Sequence, residues 1–296
     1  MTSRAIFPAI HHYRAAAEPC HNFHMSKQQE TGFTSVPIPR SRAFVVDAAR
    51  VAAGKHMIHG LVEFDVTEPR ARLRDHKAHT GESLSFTAFV LHCVGAAVAE
   101  DPLVHALRDR RGRLVLFDDV DINTIVEIEV EGRRFPLAHV IRAANRRSVR
   151  ELHDEIRAVQ ARGDRNYDER TIRLFQWYAR FPGPLRRLAY RIAMAGPHRM
   201  KKYGGTVSLT AVGMFGQGGG WGIPIPLYTL NLTLGGICWK PAVVDGHIVP
   251  REMLDVTLSF DHDVIDGAPA ARFAGRLREL IEEAYGLEVL RSLPPS

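Results

Sequence analysis

The chain lacks most of the features that assign a protein to a compartment or a chemistry at sight. It has three cysteines in 296 residues, Cys20, Cys93 and Cys238. They are odd in number, far apart and form no Cys-x-x-Cys pair, which excludes a disulfide framework and a cysteine-rich metal knuckle. No apolar run is long enough to span a bilayer. The longest, Phe86 to Ala99, is interrupted by His92 and has the length of a buried helix. The N-terminal stretch Met1 to Pro19 carries His11, His12, Arg14 and Glu18 where a signal peptide needs an unbroken apolar core. The expected location is therefore the cytoplasm.

Nucleotide-binding fingerprints are missing too. The glycine-rich stretch Gly213 to Gly222 does not lead from a strand into a helix, and no Gly-Lys-Ser/Thr follows it. It reads as a close-packed wall, not a phosphate cradle. The net charge of +6 and the pI of about 9.4 raise the question of nucleic acid. The basic residues, however, fall in short dispersed groups such as Arg108/Arg110/Arg111/Arg113, Arg142/Arg146/Arg147, Arg186/Arg187 and Lys201/Lys202, and all but one of these groups lack the interleaved aromatics that stack on bases. Solvated surface is the reading for each, and no nucleic-acid partner is expected. Cys20, His21 and His24, with His11 and His12 upstream, have no ordered partner segment, so no metal site is expected.

What is present is an ordinary globular composition, 45% hydrophobic and 24% charged, in a length that suits one large or two modest domains. Residues 1–34 show no sustained period and read as a flexible tail, with Met25 a second candidate start. Residues 35–296 read as one catalytic domain. Helices are expected at Ala43 to Ala53, from Thr67 to about His79, from Ser85 to before Pro102, and behind the capping box Ser148-Val149-Arg150-Glu151. Strands are expected at Ile58 to Val66, Leu114 to Phe117, Ile122 to Val130, Phe135 to Ile141, Thr206 to Val212, Thr229 to Leu234, Ile237 to Val244 and Glu252 to Phe260. Strands interspersed with helices, without a regular βα repeat, give a mixed-sheet α/β sandwich of two layers.

Residues 166–203 differ in character. Phe175, Trp177, Tyr178, Phe181, Leu185, Leu188 and Tyr190 alternate with Arg173, Arg180, Arg186, Arg187 and Arg191, and Pro182-Gly183-Pro184 splits the segment into two helices. Such a basic aromatic hairpin suits a packed lid, an oligomer contact or a membrane surface.

The stretch with most chemistry is Asp261-His262-Asp263-Val264-Ile265-Asp266-Gly267. A strand delivers His262 into a turn that ends at Gly267, and Pro269 then opens a helix to Tyr285. An imidazole at a strand end is aimed by a rigid element while the turn leaves room for substrate, which suits a general base.

Leu258 to Phe273 is similar to the His-x-x-x-Asp-Gly signature and following helix of the 2-oxoacid dehydrogenase acyltransferase catalytic domain, the dihydrolipoyl acyltransferase core. Gly204 to Gly216 resembles that family's second motif. Weaker agreement runs from Pro39 through the helix at Ser85 to Glu100, and at Asp118 to Ile122 and Val140 to Ala144. The resemblance implies the chloramphenicol acetyltransferase-like fold, direct acyl transfer between a thioester and a small acceptor with coenzyme A as substrate, and a homotrimer with each site at a subunit boundary. It implies His262 as general base and Thr210 as the hydroxyl that holds the oxyanion. Asp266 is expected to order the turn and to pair with Arg42, or failing that Arg40, near the domain start; Gly267 completes the support. No covalent acyl-enzyme is implied.

The chain departs from the family's pattern at Asp263, where complex-forming members usually carry arginine. A carboxylate there favours the imidazolium if it lies close to His262. No lipoyl or subunit-binding domain is read ahead of the core, so no lipoyl attachment is expected in this chain, and 166–203 looks like an insertion. The alternatives to a free-standing acyltransferase are a dihydrolipoyl acyltransferase subunit served by a lipoyl domain on another chain and an inactive oligomeric scaffold of the same fold. The resemblance leaves the acyl group, the acceptor and any dehydrogenase-complex partner open.

Overall fold

The computed structural model describes residues 35–36, 38, 42–130, 133–163, 174, 177–212 and 218–288. The expected tail 1–34 with its Cys20, His21 and His24, Arg40, most of 164–176, Gly213 to Gln217 and the end from 289 lie outside the described residues. The contact pattern separates two units, one of residues 1–51 and 167–191, the other of 52–166 and 192–296. The expected insertion is thus divided at residue 191.

The second unit is built on a six-stranded mixed sheet. Its strands are β1 (Met57–Asp65), β4 (Ile122–Val130), β5 (Arg133–Ile141), β6 (Val207–Ala211), β7 (Leu230–Val244) and β8 (His247–Asp261), in the order β1-β8-β7-β6-β4-β5. β6 runs parallel to both β4 and β7; the other pairings are antiparallel. A separate short ribbon pairs β2 (Leu107–Arg108) with β3 (Leu114–Val115).

Alternation along each strand gives the sheet two unlike faces. Leu209, Leu230, Leu232, Leu254, Val256, Leu258 and Phe64 fill one of them and are buried. The helices of this unit are α2 (Thr67–Thr80), α3 (Phe86–Glu100), α4 (Val149–Arg162), α6 (Pro197–Gly204) and α7 (Gly267–Glu282). α3 touches both α4 and α7, while α4 reaches β4 and α7 reaches β1. The apolar stripe Phe273, Leu277, Leu280 and Ile281 makes α7 a core helix. The result is the expected α/β sandwich with a mixed sheet. The other sheet face carries Ser208, Thr210, Asn231, Thr233, Thr257 and Ser259, which share rows across β6, β7 and β8.

Local signals held where a short segment decides the structure. Ser148 and Glu151 form both halves of the capping box, which starts α4 at Val149. The chain differs from expectation where distant segments meet. β7 is one strand, not two, and bends at a register shift between Leu234 and Ile237. The segment Gly218 to Gly220 lies against that bend: Gly236 N–H donates to the Gly220 carbonyl at 3.2 Å, and a Cβ on Gly235 would lie 2.0 Å from the same oxygen. The described part of the glycine-rich stretch is therefore the close-packed wall expected. A second break also divides the region after Pro184. α5 (Gly183–Ala193) stops, and α6 starts after Gly196, whose φ of 98° lies in glycine's territory and is followed by Pro197.

The β7–β8 hairpin outruns its neighbours. β1 pairs with β8 only from Met253 to Asp261, while β7 and β8 continue together to a turn at Asp245-Gly246. On one side of this arm Trp239, Val243 and Ile248 are 62%, 74% and 77% exposed.

In the first unit, α1 (Ala43–Ala52) carries Asp47, which is fully buried. Its carboxylate accepts hydrogen bonds from the Tyr178 hydroxyl and from Arg186 Nε, each at 2.9 Å, which is the pairing a buried charge requires.

Candidate active site

His262 follows the last residue of β8. Its own N–H donates to the His56 carbonyl at 2.7 Å, which continues the β1–β8 pairing by one step and fixes the residue's backbone. The side chain is about half exposed, and Nδ1 faces Asp266 Oδ1 at 3.7 Å, an ion-pair distance beyond hydrogen-bond reach. Asp266 is the N-cap residue of α7, with extended backbone and no side-chain capping bond, and it is 84% exposed.

The turn itself is ordered by Asp261. Its carbonyl accepts from the N–H groups of Val264 and Ile265 at 2.9 Å each, and its carboxylate accepts from the Asp263 N–H at 3.2 Å and pairs with Lys55. Its N–H donates to the Thr229 carbonyl at 2.9 Å, tying the strand end to the entry of β7. The sequence assigns no role to Lys55 and none to Asp261 beyond its place in the stretch before His262. The available signal was an aspartate immediately before the histidine, at the last strand position.

Asp263, next to His262 in the chain, has charged partners of its own. Its carboxylate faces His56 Nδ1 at 3.0 Å and Arg108 Nη1 at 3.6 Å. The His56 hydrogen bond, with the nearby charges of Arg108 and Lys55, holds this carboxyl below its ordinary value. The charge is thus engaged by β1's approach and by β2. Lys55, Arg108, Asp261 and Asp263, together with Met200 and Thr229, line a cleft of about 240 Å³ beside the His262 turn. That volume is below the roughly 300–1,000 Å³ of sites for drug-sized ligands, so it suits a subsite for part of a substrate.

Thr210 is half-buried on β6, where it pairs across to Thr233 and, one strand on, to Thr257. The start of β6 is held firmly. Thr206 N–H donates to the Asp121 carbonyl at 2.7 Å, and a Cβ on Gly205 (φ 84°) would lie 2.6 Å from that oxygen. Arg142 links the Asp121 carboxylate at 2.8 Å to the Lys201 and Lys202 carbonyls at the end of α6. Gly205 is therefore needed for close approach to the Asp121 backbone, which explains a glycine at that position ahead of Thr210.

Within one chain Thr210 and His262 do not meet. Thr257 is five residues before His262 on β8 and two strands from Thr210, which puts the two residues roughly 19 Å apart at ordinary strand spacings. Gly267 opens α7 with nothing within 4 Å of a Cβ and without positive φ. Arg42 belongs to the first unit and is exposed just before α1. No group of three or more candidate metal ligands occurs among the described residues.

Residues 189–289 match the family model described as 2-oxoacid dehydrogenases acyltransferase (catalytic domain). The dihydrolipoyllysine-residue acetyltransferase component of the pyruvate dehydrogenase complex of Bacillus subtilis is 26% identical over 227 residues, covering 75% of this chain and 43% of that protein. The lipoamide acyltransferase component of the branched-chain alpha-keto acid dehydrogenase complex of Pseudomonas putida is 35% identical over 104 residues, 34% of this chain and 24% of that protein. The chain spans half or less of the length of these relatives. Among solved structures, the dihydrolipoamide acetyltransferase of Azotobacter vinelandii has a TM-score of 0.65 at 21% identity, covering 91% of this chain and 99% of that one. A probable dihydrolipoamide acetyltransferase of Listeria monocytogenes has 0.64 at 20%, covering 86% and 97%. The fold is thus that of these acyltransferase cores.

Proposed function

From the match of residues 189–289 to the acyltransferase catalytic domain, whose signature resemblance at Leu258 to Phe273 it contains, we propose that the chain transfers an acyl group directly between coenzyme A and a dihydrolipoyl thiol. The observation that carries this reading is His262, set at the end of a central strand and left half exposed beside a charged cleft. With the Nδ1 proton directed toward Asp266, Nε2 is the atom that takes the proton from the attacking thiol. The thiol adds to the thioester carbonyl, and Thr210 donates its hydroxyl to the resulting oxyanion. Collapse expels the second thiolate, which recovers the proton from His262. The curated relatives favour a dihydrolipoyl acceptor over an unspecified small molecule.

The separation of Thr210 and His262 within one chain calls for a site shared between copies, and we read the assembly as a homotrimer. The exposed apolar side of the β7–β8 arm supplies surface that a second copy can cover. Arg42 is read as the partner of Asp266 in the assembled site. A second reading, transfer to another small hydroxyl, amine or thiol, is favoured by Asp263, which stands where arginine is usual.

Thiol release from acyl-CoA, measured with dihydrolipoamide and with a panel of other acceptors, separates the two. His262→Ala is expected to lower turnover about 10²–10⁴-fold and Thr210→Ala about 10²–10³-fold. Co-assembled His262→Ala and Thr210→Ala chains are expected to recover about a quarter of the activity, since random mixing restores one boundary in four. Turnover unaffected by His262→Ala refutes the chemistry. Absence of recovery in mixed assemblies refutes the shared site.

A further inference from the structure

The helix α5 is turned inside out. Leu185, Leu188 and Ile192 recur at helical spacing along one face and are 48%, 54% and 51% exposed, whereas the opposite side carries Arg186 and Tyr190, which are the sheltered residues. Arg186 reaches the buried carboxylate of Asp47, and Tyr190 packs edge-on against Phe44 at 5.4 Å. The ion pair with Asp47 thus anchors the polar side of the helix and leaves the apolar side outward. Trp177, 59% exposed, and Phe181 stack edge to face at 4.4 Å just ahead of the helix.

Along the sequence, the segment that contains this helix carries charge of one sign. Residues 170–244 contain ten of the chain's 39 lysines and arginines and none of its 33 aspartates and glutamates. The rest of the chain has a net charge of −4, so the whole positive balance arises in this stretch. Arg191, exposed and three residues from Leu188, lies at the edge of the apolar stripe. A second copy of the same face would bring arginine against arginine, which costs free energy at close range. An anionic bilayer meets both requirements: its acyl boundary takes leucine, isoleucine and tryptophan, and its headgroups take the flanking guanidinium group.

We propose that α5, with Trp177, is an interfacial anchor that lays the exposed stripe Leu185, Leu188 and Ile192 into the surface of an anionic phospholipid membrane, flanked by Arg191. It lies on the membrane and does not span it; among the described residues no helix is long and apolar enough to cross. The proposal is independent of the acyl-transfer reading, since it uses none of the residues assigned to that chemistry.

The test is co-sedimentation of the full chain with phosphatidylserine–phosphatidylcholine vesicles and with pure phosphatidylcholine vesicles. Binding is expected to the anionic vesicles, to fall as salt rises, and to drop at least about tenfold in Leu188→Glu. Because Leu188 faces outward, that variant should keep the wild-type melting temperature and acyl transfer. Equal binding to both vesicle types, or no binding to either, overturns the proposal. So does a Leu188→Glu chain that loses self-association by light scattering while vesicle binding is unchanged, since the stripe is then a contact between copies.

Discussion

Gly267 opens α7 at a position where its own chain demands no glycine. Its backbone is of the ordinary right-handed or extended kind, and a Cβ there would meet nothing within 4 Å. The requirement for a missing side chain, if the turn is catalytic, comes from what approaches from outside: substrate or a neighbouring copy. Gly267→Ala is therefore expected to leave stability unchanged or raise it by about 0.4–1 kcal/mol through the unfolded state, while kcat/KM for acyl transfer falls. Thermal melts paired with steady-state kinetics check this, and a destabilised but fully active variant would contradict it. The same turn shows how far single residues were legible. His262 was legible because a strand pattern ran up to it. The partners of Asp263 were not, because His56 and Arg108 reach it from the entry of β1 and from β2, separated from it by more than 150 residues of chain.

Among the elements, the bend of β7 sets the path of the glycine-rich wall against the sheet. Gly235 and Gly236 admit the Gly218 to Gly220 backbone at distances no side chain allows. Gly235→Ala is expected to cost about 1–3 kcal/mol, the range of an overpacked site, read as a lower urea midpoint. The sequence suggested two strands here because a glycine pair normally punctuates a strand. Only the neighbouring backbone reveals that the pair is a bulge within one strand. Elements governed by nearby residues fared better: the Ser148–Glu151 box marks the start of α4, and alternating residues mark β4 and β8, since caps and pleats are decided within a few positions. The break between α5 and α6 was signalled by Gly196-Pro197 but was masked by the continuous apolar and basic pattern around it.

For the whole molecule, His105 links stability to acidity. It is fully buried, its Nε2 donates to the Phe117 carbonyl at 3.1 Å, and Nδ1 faces the Thr206 hydroxyl at 2.9 Å. Burial pushes its pKa from 6.5 down to about 4. Above pH 6.5 neither the folded nor the unfolded state protonates it. Between 6.5 and about 4 the unfolded chain takes up the proton first, so stability falls as pH drops through this window. The full loss is on the order of 3 kcal/mol. Denaturant titrations at pH 7, 5 and 4 should show this decline, and His105→Gln should flatten it at some cost in stability at pH 7. The fold class was legible at this scale because buried strands and helices were both strongly patterned. The separation of Thr210 from His262 followed only from the strand order.

That order places β1, the first strand of the sheet, beside β8, the last of its described strands. During synthesis β1 has no hydrogen-bonding neighbour until almost all of the sheet's residues have been made. The β7–β8 hairpin, closed by the Asp245-Gly246 turn, can form locally as soon as it emerges and then serves as the template on which β1 is seated. The bond from His262 N–H to the His56 carbonyl closes at that same step. The imidazole is therefore among the last groups to reach its working position, so a nascent chain caught earlier exposes β1 as an unpaired edge before it holds a usable base.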